Sequence, residues 1–233
     1  MATPPPRSPA ANDASASMDG RPAADLLAQL PPTLRALAVR GEQRKYRKGA
    51  LLIQEGDQGD TIYIILSGRM RVFSAGDDGR EITYGDYGAG EYLGEMSLDG
   101  GPRSASVETL EASQCVVITR PTLTQHLAEH PEFAYELLAK VIRRARVATL
   151  NARQLALNDV YGRLKLMLDG RAEPAADGTR LIAERLTHKD MARRLGCSRE
   201  MVSRQMKDLE RGGHIALRDN GALVLMHELP MRW

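Results

Sequence analysis

The run Thr187-His-Lys-Asp-Met-Ala-Arg-Arg-Leu-Gly-Cys-Ser-Arg-Glu-Met-Val-Ser-Arg-Gln-Met-Lys-Asp-Leu209 carries the strongest local signal in the 233-residue chain. Thr187 followed three residues later by Asp190 has the form of a capping box, with Asp where Glu is commoner. Met191, Ala192 and Leu195 supply the apolar face of a first helix, and Gly196 breaks it. Ser198 then caps a second helix whose apolar side is Met201, Val202, Met206 and Leu209. Helix, glycine-containing turn and helix at this spacing define a helix-turn-helix.

The solvent side of the second helix carries Arg199, Glu200, Ser203, Arg204 and Lys207 at four-residue and adjacent steps. Such a face offers donors suited to guanine edges and phosphates, and an acceptor suited to cytosine. Arginine matters because its planar fork meets guanine O6 and N7 together. A bland alternative is a surface helix laced by a Glu200–Arg204 pair at i, i+4. The capped first helix and the glycine turn favour DNA, and Thr187, His188 and Ser198 join the candidate DNA-binding set. Beyond Gly212–Gly213, Ile215–Leu217 and Ala222–Leu225 flank Asp219-Asn220-Gly221, a hairpin signal. The module reads as a winged helix-turn-helix.

Charge agrees with this placement. The whole chain has 32 Lys+Arg against 30 Asp+Glu. From Arg163 onward there are 14 basic and 10 acidic residues, so the positive excess sits in the last third. No run of 18 apolar residues is present, which excludes a transmembrane helix of the usual kind and sets aside a membrane role. The first residues lack the apolar core of a secretory signal. Cys115 and Cys197 are too few for a disulfide framework or a four-cysteine metal site, and read as small buried residues in a reducing cytoplasm. No metal site is expected.

Residues 1–23, rich in Pro, Ala and Ser, read as a disordered tail. A short helical stretch, Ala24–Ala38, is interrupted at Pro31–Pro32. From Glu42 to about Ile118, short β-rich runs alternate with glycine turns: Leu51–Ile53, Thr61–Leu66, Met70–Ser74, Glu81–Tyr84, Ser104–Glu108 and Gln114–Ile118. That texture predicts an antiparallel sandwich or barrel, with hairpin turns at Ser67–Gly68 and Asp78–Gly79. The units are therefore a β-domain over 24–130, a long helix over 131–157 and the DNA-binding module over 158–233.

The long helix places Leu138, Val141, Ala145, Ala148, Ala152 and Leu155 at alternating three- and four-residue steps, a heptad seam suited to pairing with a second copy. A helix packed on its own domain would give a similar pattern. Asn158–Asp159 ends this run and reads as a hinge that also caps the next helix. In the β-domain, Gly94-Glu-Met-Ser-Leu-Asp-Gly-Gly-Pro-Arg-Ser-Ala105 concentrates glycine, an acid and an arginine. Backbone N–H groups near Arg103 and Ser104 would suit an anion, and Glu95 could accept from a ribose hydroxyl. The alternative is a glycine-rich loop closed by a Glu95–Arg103 salt bridge.

These residues resemble the cyclic AMP receptor protein family of bacterial regulators, often called CRP/FNR, over about Leu26–Met226. The resemblance rests on Gly94–Leu98 with Pro102–Ala105, on Asn158–Arg163, and on Gly196–Arg204. It implies an α+β architecture: an N-terminal antiparallel, jelly-roll-like β-roll that binds a cyclic nucleotide, a dimerisation helix and the winged helix-turn-helix. It also implies a ligand set of Gly94, Glu95, Met96, Arg103, Ser104, Ala105, Arg144, Ala148 and Thr149. Glu95 would meet the ribose, Arg103 and Ser104 the cyclic phosphate, and Thr149 the base. Arg199, Glu200 and Arg204 would read half-sites resembling TGTGA, with RNA polymerase as a further partner. The implied effector is cyclic AMP, and no other cofactor is expected. The loop between Glu95 and Arg103 is shorter than in the best-known members, and Ala148 replaces a hydroxyl residue. Cyclic GMP, a cyclic dinucleotide and a ligand-independent form therefore stay open. A regulatory subunit of a cyclic-nucleotide-controlled enzyme is the reading from another class, but no catalytic constellation is present: the five histidines lack metal-ligand spacing and there is no nucleophile elbow.

Overall fold

The computed structural model describes residues 23–231 except 176, 219 and 220. The expected tail up to residue 22, and Asp219–Asn220 of the expected wing turn, lie outside the described residues. Ala23 already belongs to the first helix, α1 (Ala23–Ala28), and Pro32 starts α2 (Pro32–Ala38).

Eight strands follow: β1 (Glu42–Tyr46), β2 (Leu51–Ile53), β3 (Ile62–Ser67), β4 (Met70–Ala75), β5 (Glu81–Tyr87), β6 (Tyr92–Leu93), β7 (Ser106–Thr109) and β8 (Ser113–Ile118). They form two antiparallel sheets in the orders β1-β8-β3-β6 and β2-β7-β4-β5, the pairing of a jelly roll. The apolar run on β3 divides by alternation. Ile62, Ile64 and Leu66 face a cluster with Leu34, Leu37 and Phe133, while Ile65 packs between the sheets with Met70, Leu93 and Cys115. Both faces of β3 are covered, which is why its sequence is nearly continuous in apolar residues. Cys115 is fully buried, and burial pushes its thiol up to about 12. Cys197 is only half-buried, contrary to the expectation for it.

Two expectations for this region are corrected. Ser67–Gly68 does not close a hairpin, because β3 and β4 belong to different sheets and the chain crosses between them there. Gly68 is required at the crossing: its φ is 86°, and a Cβ would lie 2.7 Å from Ser113 Cβ and 2.8 Å from the Ala112 carbonyl. Asp78–Gly79 does join paired strands, β4 and β5. A helix the sequence reading passed over, α3 (Arg120–Glu129), precedes the long α4 (Glu132–Leu157). Thr119 caps α3 by accepting from Thr122 N at 3.4 Å.

Phe133 anchors the start of α4. It is 1% exposed and meets the rings of His126 at 5.3 Å and Tyr92 at 6.4 Å between centroids. His126 is itself buried, with Nδ1 lacking a hydrogen-bond partner among the described residues. Burial, then the neighbouring His130 and Arg40, hold its ring below the ordinary 6.5, so the folded state carries it neutral. A depressed folded pKa contributes stability above the ordinary value that is lost as pH falls through it. The urea midpoint is therefore expected to drop between pH ~7 and pH ~5, and His126→Leu to flatten that slope. An unchanged slope would remove His126 from the acid response.

After Asn158, α5 (Val160–Asp169) opens the C-terminal unit, capped by Asp159, which accepts from Gly162 N at 2.7 Å. Then come β9 (Glu173–Pro174), β10 (Arg180–Ile182), α6 (His188–Leu195), α7 (Arg199–Arg211), β11 (Ile215–Leu217) and β12 (Leu223–Leu225). β12 pairs with both β11 and β10, and β10 with β9, so residues 173–174 and 180–182, not anticipated as strands, complete the wing sheet. Tyr161, Leu164, Leu168, Met191, Leu195, Val202 and Leu209 form this unit's core. Met201, assigned to the apolar side of α7, is instead 39% exposed.

Candidate ligand pocket and nucleic-acid interface

Gly94, in the left-handed region at φ 95°, turns the chain from β6 into a 3-10 turn at Glu95–Ser97. A Cβ there would sit 2.6 Å from the Thr61 carbonyl, so glycine permits the close approach. The following loop is pinned to the β2–β3 connection: Arg103 N donates to the Asp57 carbonyl at 2.8 Å, and Gly56 N donates to the Arg103 carbonyl at 2.9 Å.

The Arg103 guanidinium is clamped by neutral oxygens. Nη1 donates to the carbonyls of Thr61 and Gly94, both at 3.0 Å, and to Ser97 Oγ at 2.8 Å; Nη2 donates to Thr61 Oγ1 at 2.9 Å. The residue is 7% exposed, and burial lowers its pKa. No carboxylate forms an ion pair with it among the described residues. The carboxylates of Asp60 and Glu95 act on it only at longer range, so a buried cation whose hydrogen-bond acceptors are all neutral keeps charge for an incoming anion.

The Glu95–Arg103 bridge considered from sequence is not formed. Glu95 pairs instead with Arg144 of α4, whose Nη2 also donates to the Tyr92 carbonyl at 3.0 Å and whose guanidinium stacks over Tyr87 at 4.8 Å. Glu95 is 4% exposed, and its second oxygen, Oε2, has no hydrogen-bond partner among the described residues. That oxygen is a ready acceptor for a hydroxyl donor.

Between the β-roll and α4 lies an open cavity of about 830 Å³. Met96, Ser104 and Ala105 line one side, Tyr84 and Tyr87 of β5 another, and Lys140, Arg144, Ala148 and Asn151 the helix side. Gly94, Arg103 and Ser104 line a smaller recess next to it that shares Met96, Ala105 and Arg144 with the main cavity. Lys140 stacks on Tyr92 at 3.6 Å, and burial followed by the Arg144 charge lowers it to about 8. Of the expected ligand set, Glu95 and Thr149 line neither the cavity nor the recess; the Thr149 hydroxyl donates to the Ala145 carbonyl in the same helix at 3.0 Å. Thr61, Ser97, Tyr84 and Lys140 were not identified from sequence. Ser97 stands inside the loop motif without a role assigned to it, while Thr61, Tyr84 and Lys140 come from separate parts of the chain that no motif links to the loop.

Val141, Ala145 and Ala148 of the expected dimer seam also line the cavity, while Leu138 and Leu155 are 55% and 45% exposed. Ile142 and Leu150 lie exposed on the same helix outside that seam.

On α6 the Thr187 hydroxyl accepts from Asp190 N at 3.1 Å and contacts Asp190 Oδ2 at 2.5 Å, completing the cap. Gly196 closes the helix at φ 64°, and Ser198 Oγ accepts from Met201 N at 3.2 Å to start α7. Arg199, Glu200, Ser203, Arg204 and Lys207 line one open depression. Glu200 and Arg204 form no ion pair among the described residues, so the cations of this face are not tied to each other's neighbours. His188 lies beside them, its ring held below its ordinary pKa by burial and by Arg199 and Lys207.

A β-roll with an anion-ready pocket against a long helix, joined to an exposed basic recognition helix, defines a ligand-binding, DNA-binding regulator. Residues 43–130 match the family model of the cyclic nucleotide-binding domain, and 163–229 that of the Crp-like helix-turn-helix domain. The chain belongs to the CRP/FNR family of transcription regulators. It is 31% identical to the CRP-like cAMP-activated global transcriptional regulator of Mycobacterium tuberculosis, over 83% of this chain and 88% of that one. It is 30% identical to the cAMP-activated global transcriptional regulator CRP of Escherichia coli, over 78% and 89%. The solved structure of the c-di-GMP-responsive global regulator CLP of Xanthomonas campestris superposes with a TM-score of 0.73 at 27% identity, covering 84% of this chain and 98% of that one. No helix among the described residues is long and apolar enough to cross a membrane.

Proposed function

We propose that this chain acts in the cytoplasm as a homodimeric, sequence-specific transcription regulator whose effector is cyclic AMP. Glu95 takes the ribose hydroxyl, Arg103 and Ser104 the cyclic phosphate, with Gly94, Met96 and Ala105 shaping the loop and Arg144 and Ala148 closing the helix side. Thr149 approaches the base, with the partner's long helix contributing there too, across paired α4 helices that meet along Leu138, Val141, Ala145, Ala148, Ala152 and Leu155. The observation that carries this reading is the buried Arg103, held by neutral oxygens in a recess that continues into the cavity beside α4. Binding biases a pre-existing equilibrium about Asn158–Asp159 toward correctly spaced recognition helices. Arg199, Glu200 and Arg204 read TGTGA-like half-sites about 34 Å apart, with Thr187, His188, Ser198, Ser203 and Lys207 around them. RNA polymerase is the further partner where the bound chain activates.

Calorimetric titration with cyclic AMP, cyclic GMP and cyclic di-GMP, paired with gel shifts on a TGTGA palindrome, tests the effector and the site together. A response to cyclic di-GMP alone would select the second reading, which the likeness to CLP favours. Arg204→Ala is expected to cost about 1–3 kcal/mol of operator affinity and to relax preference at one base pair. Unchanged selectivity across single-base operator variants would refute that role.

A further inference from the structure

The helix-turn-helix is tied by charge to the strand that walls the pocket. Arg193 and Arg194, in the last turn of α6, pair with Glu81 and Asp86 of β5: Arg193 Nε to Glu81 Oε2 at 2.9 Å, Arg194 Nη2 to Asp86 Oδ2 at 2.5 Å. All four side chains keep only 22–27% of their exposure. Glu81 is also held from behind. Arg71 Nη1 donates to the same Oε2 at 2.6 Å, and Arg71 is in turn clasped by Glu108 through Nε at 3.1 Å and Nη2 at 2.8 Å. Apolar contact joins the same spot: Ile82 Cδ1 of β5 and Leu155 Cδ2 of α4 lie 3.6 and 3.9 Å from where a Cβ on Gly196 would be.

β5 is an edge strand, so its outer side is open to a docking element. Its register shifts opposite Val72 and Phe73, leaving Tyr84 without a counterpart. Through this bulge, one strand presents Tyr84 and Tyr87 to the cavity and Glu81 and Asp86 to α6. We propose that Glu81–Arg193 and Asp86–Arg194 form a reversible latch that holds α6 on β5, so that the strand walling the pocket sets the position of the recognition helix.

Reversibility follows from the network. When α6 leaves, Glu81 keeps Arg71, and Arg193 and Arg194 pass to water, so no buried charge is stranded. Arg71 also orders the Glu81 carboxylate in advance, which lowers the entropic cost of re-docking. The latch does not depend on which nucleotide fills the cavity.

Amide hydrogen exchange on the full chain, without ligand or DNA, reads the docking directly. In Asp86→Arg and in Arg194→Asp, exchange over 81–86 and 195–198 is expected to rise by roughly fivefold, as a modest attraction becomes a repulsion. The double variant D86R/R194D is expected to return it to the parent rate, while β3 and β8 exchange at the parent rate throughout. Single reversals without effect, or a double variant that does not recover, overturn the latch. Glu81→Gln, which keeps the side chain's shape, serves if a reversal disturbs the β-roll: unchanged exchange over 81–86 and 195–198 in that variant is equally fatal.

Discussion

Replacing Arg103 by alanine is expected to lower affinity for a cyclic nucleotide by roughly a hundredfold to a thousandfold, the cost of removing one partner of a buried, hydrogen-bonded charge pair. Among the described residues, two cations line the recess: Arg103, whose guanidinium is held by Thr61, Gly94 and Ser97, and Arg144, which is already engaged by Glu95. Arg103 also ties the β2–β3 connection to the loop, so a loss of binding could come from a displaced loop. Arg103→Lys separates the two effects: it keeps the charge and loses the fork, and is expected to recover part of the affinity. Calorimetry with cyclic AMP on the three proteins decides the matter. Full affinity in the alanine variant would remove Arg103 from the anion site.

The second large effect concerns stability. Phe133→Ala is expected to cost about 3–5 kcal/mol, as for other fully buried aromatic truncations. The ring meets Tyr92 and His126, and it shares its buried cluster with Leu34, Leu37 and Ile118, which belong to strands and helices that cannot all close in on the space it leaves. Because Arg144 meets Glu95 about three turns further along the same helix, loosening its start should also weaken the pocket. Chemical denaturation measures the first consequence and ligand titration the second. A loss below about 1 kcal/mol would show that the site collapses and that Phe133 does not anchor α4.

How much of this was legible in the sequence varies with the range of the forces involved. The helix-turn-helix is written in local chemistry. Thr187 and Ser198 cap, Gly196 takes the left-handed turn, and the buried Met191, Leu195, Val202 and Leu209 recur at helical spacing. Only Met201 was misplaced, because a methionine near a helix start fits either face of the pattern. α3 was legible in principle, since Thr119 and Pro121 mark its start, but its apolar residues are too few to draw the eye. Strand texture identified a β-sandwich and located most strands, yet it could not say which strands pair. Ser67–Gly68 has the composition of a hairpin turn and nevertheless carries the chain from one sheet to the other.

The pocket divides the same way. The loop Gly94–Ala105 announced itself through its glycines, Glu95 and Arg103, residues that are near neighbours in the chain. Their partners did not. Glu95 found Arg144 from α4, and Arg103 found Thr61, across separations set by the packing of sheets and helix. Sequence by itself determined most of the elements, the caps of the helix-turn-helix and the residue types that can hold an anion or read a base edge, because those depend on backbone dihedrals and side-chain chemistry over a few residues. Tertiary structure alone decided which carboxylate meets which guanidinium, leaving Arg103 without a counter-ion and seating α6 against β5, because pairings between distant segments are chosen by burial and charge only after the chain has closed on itself.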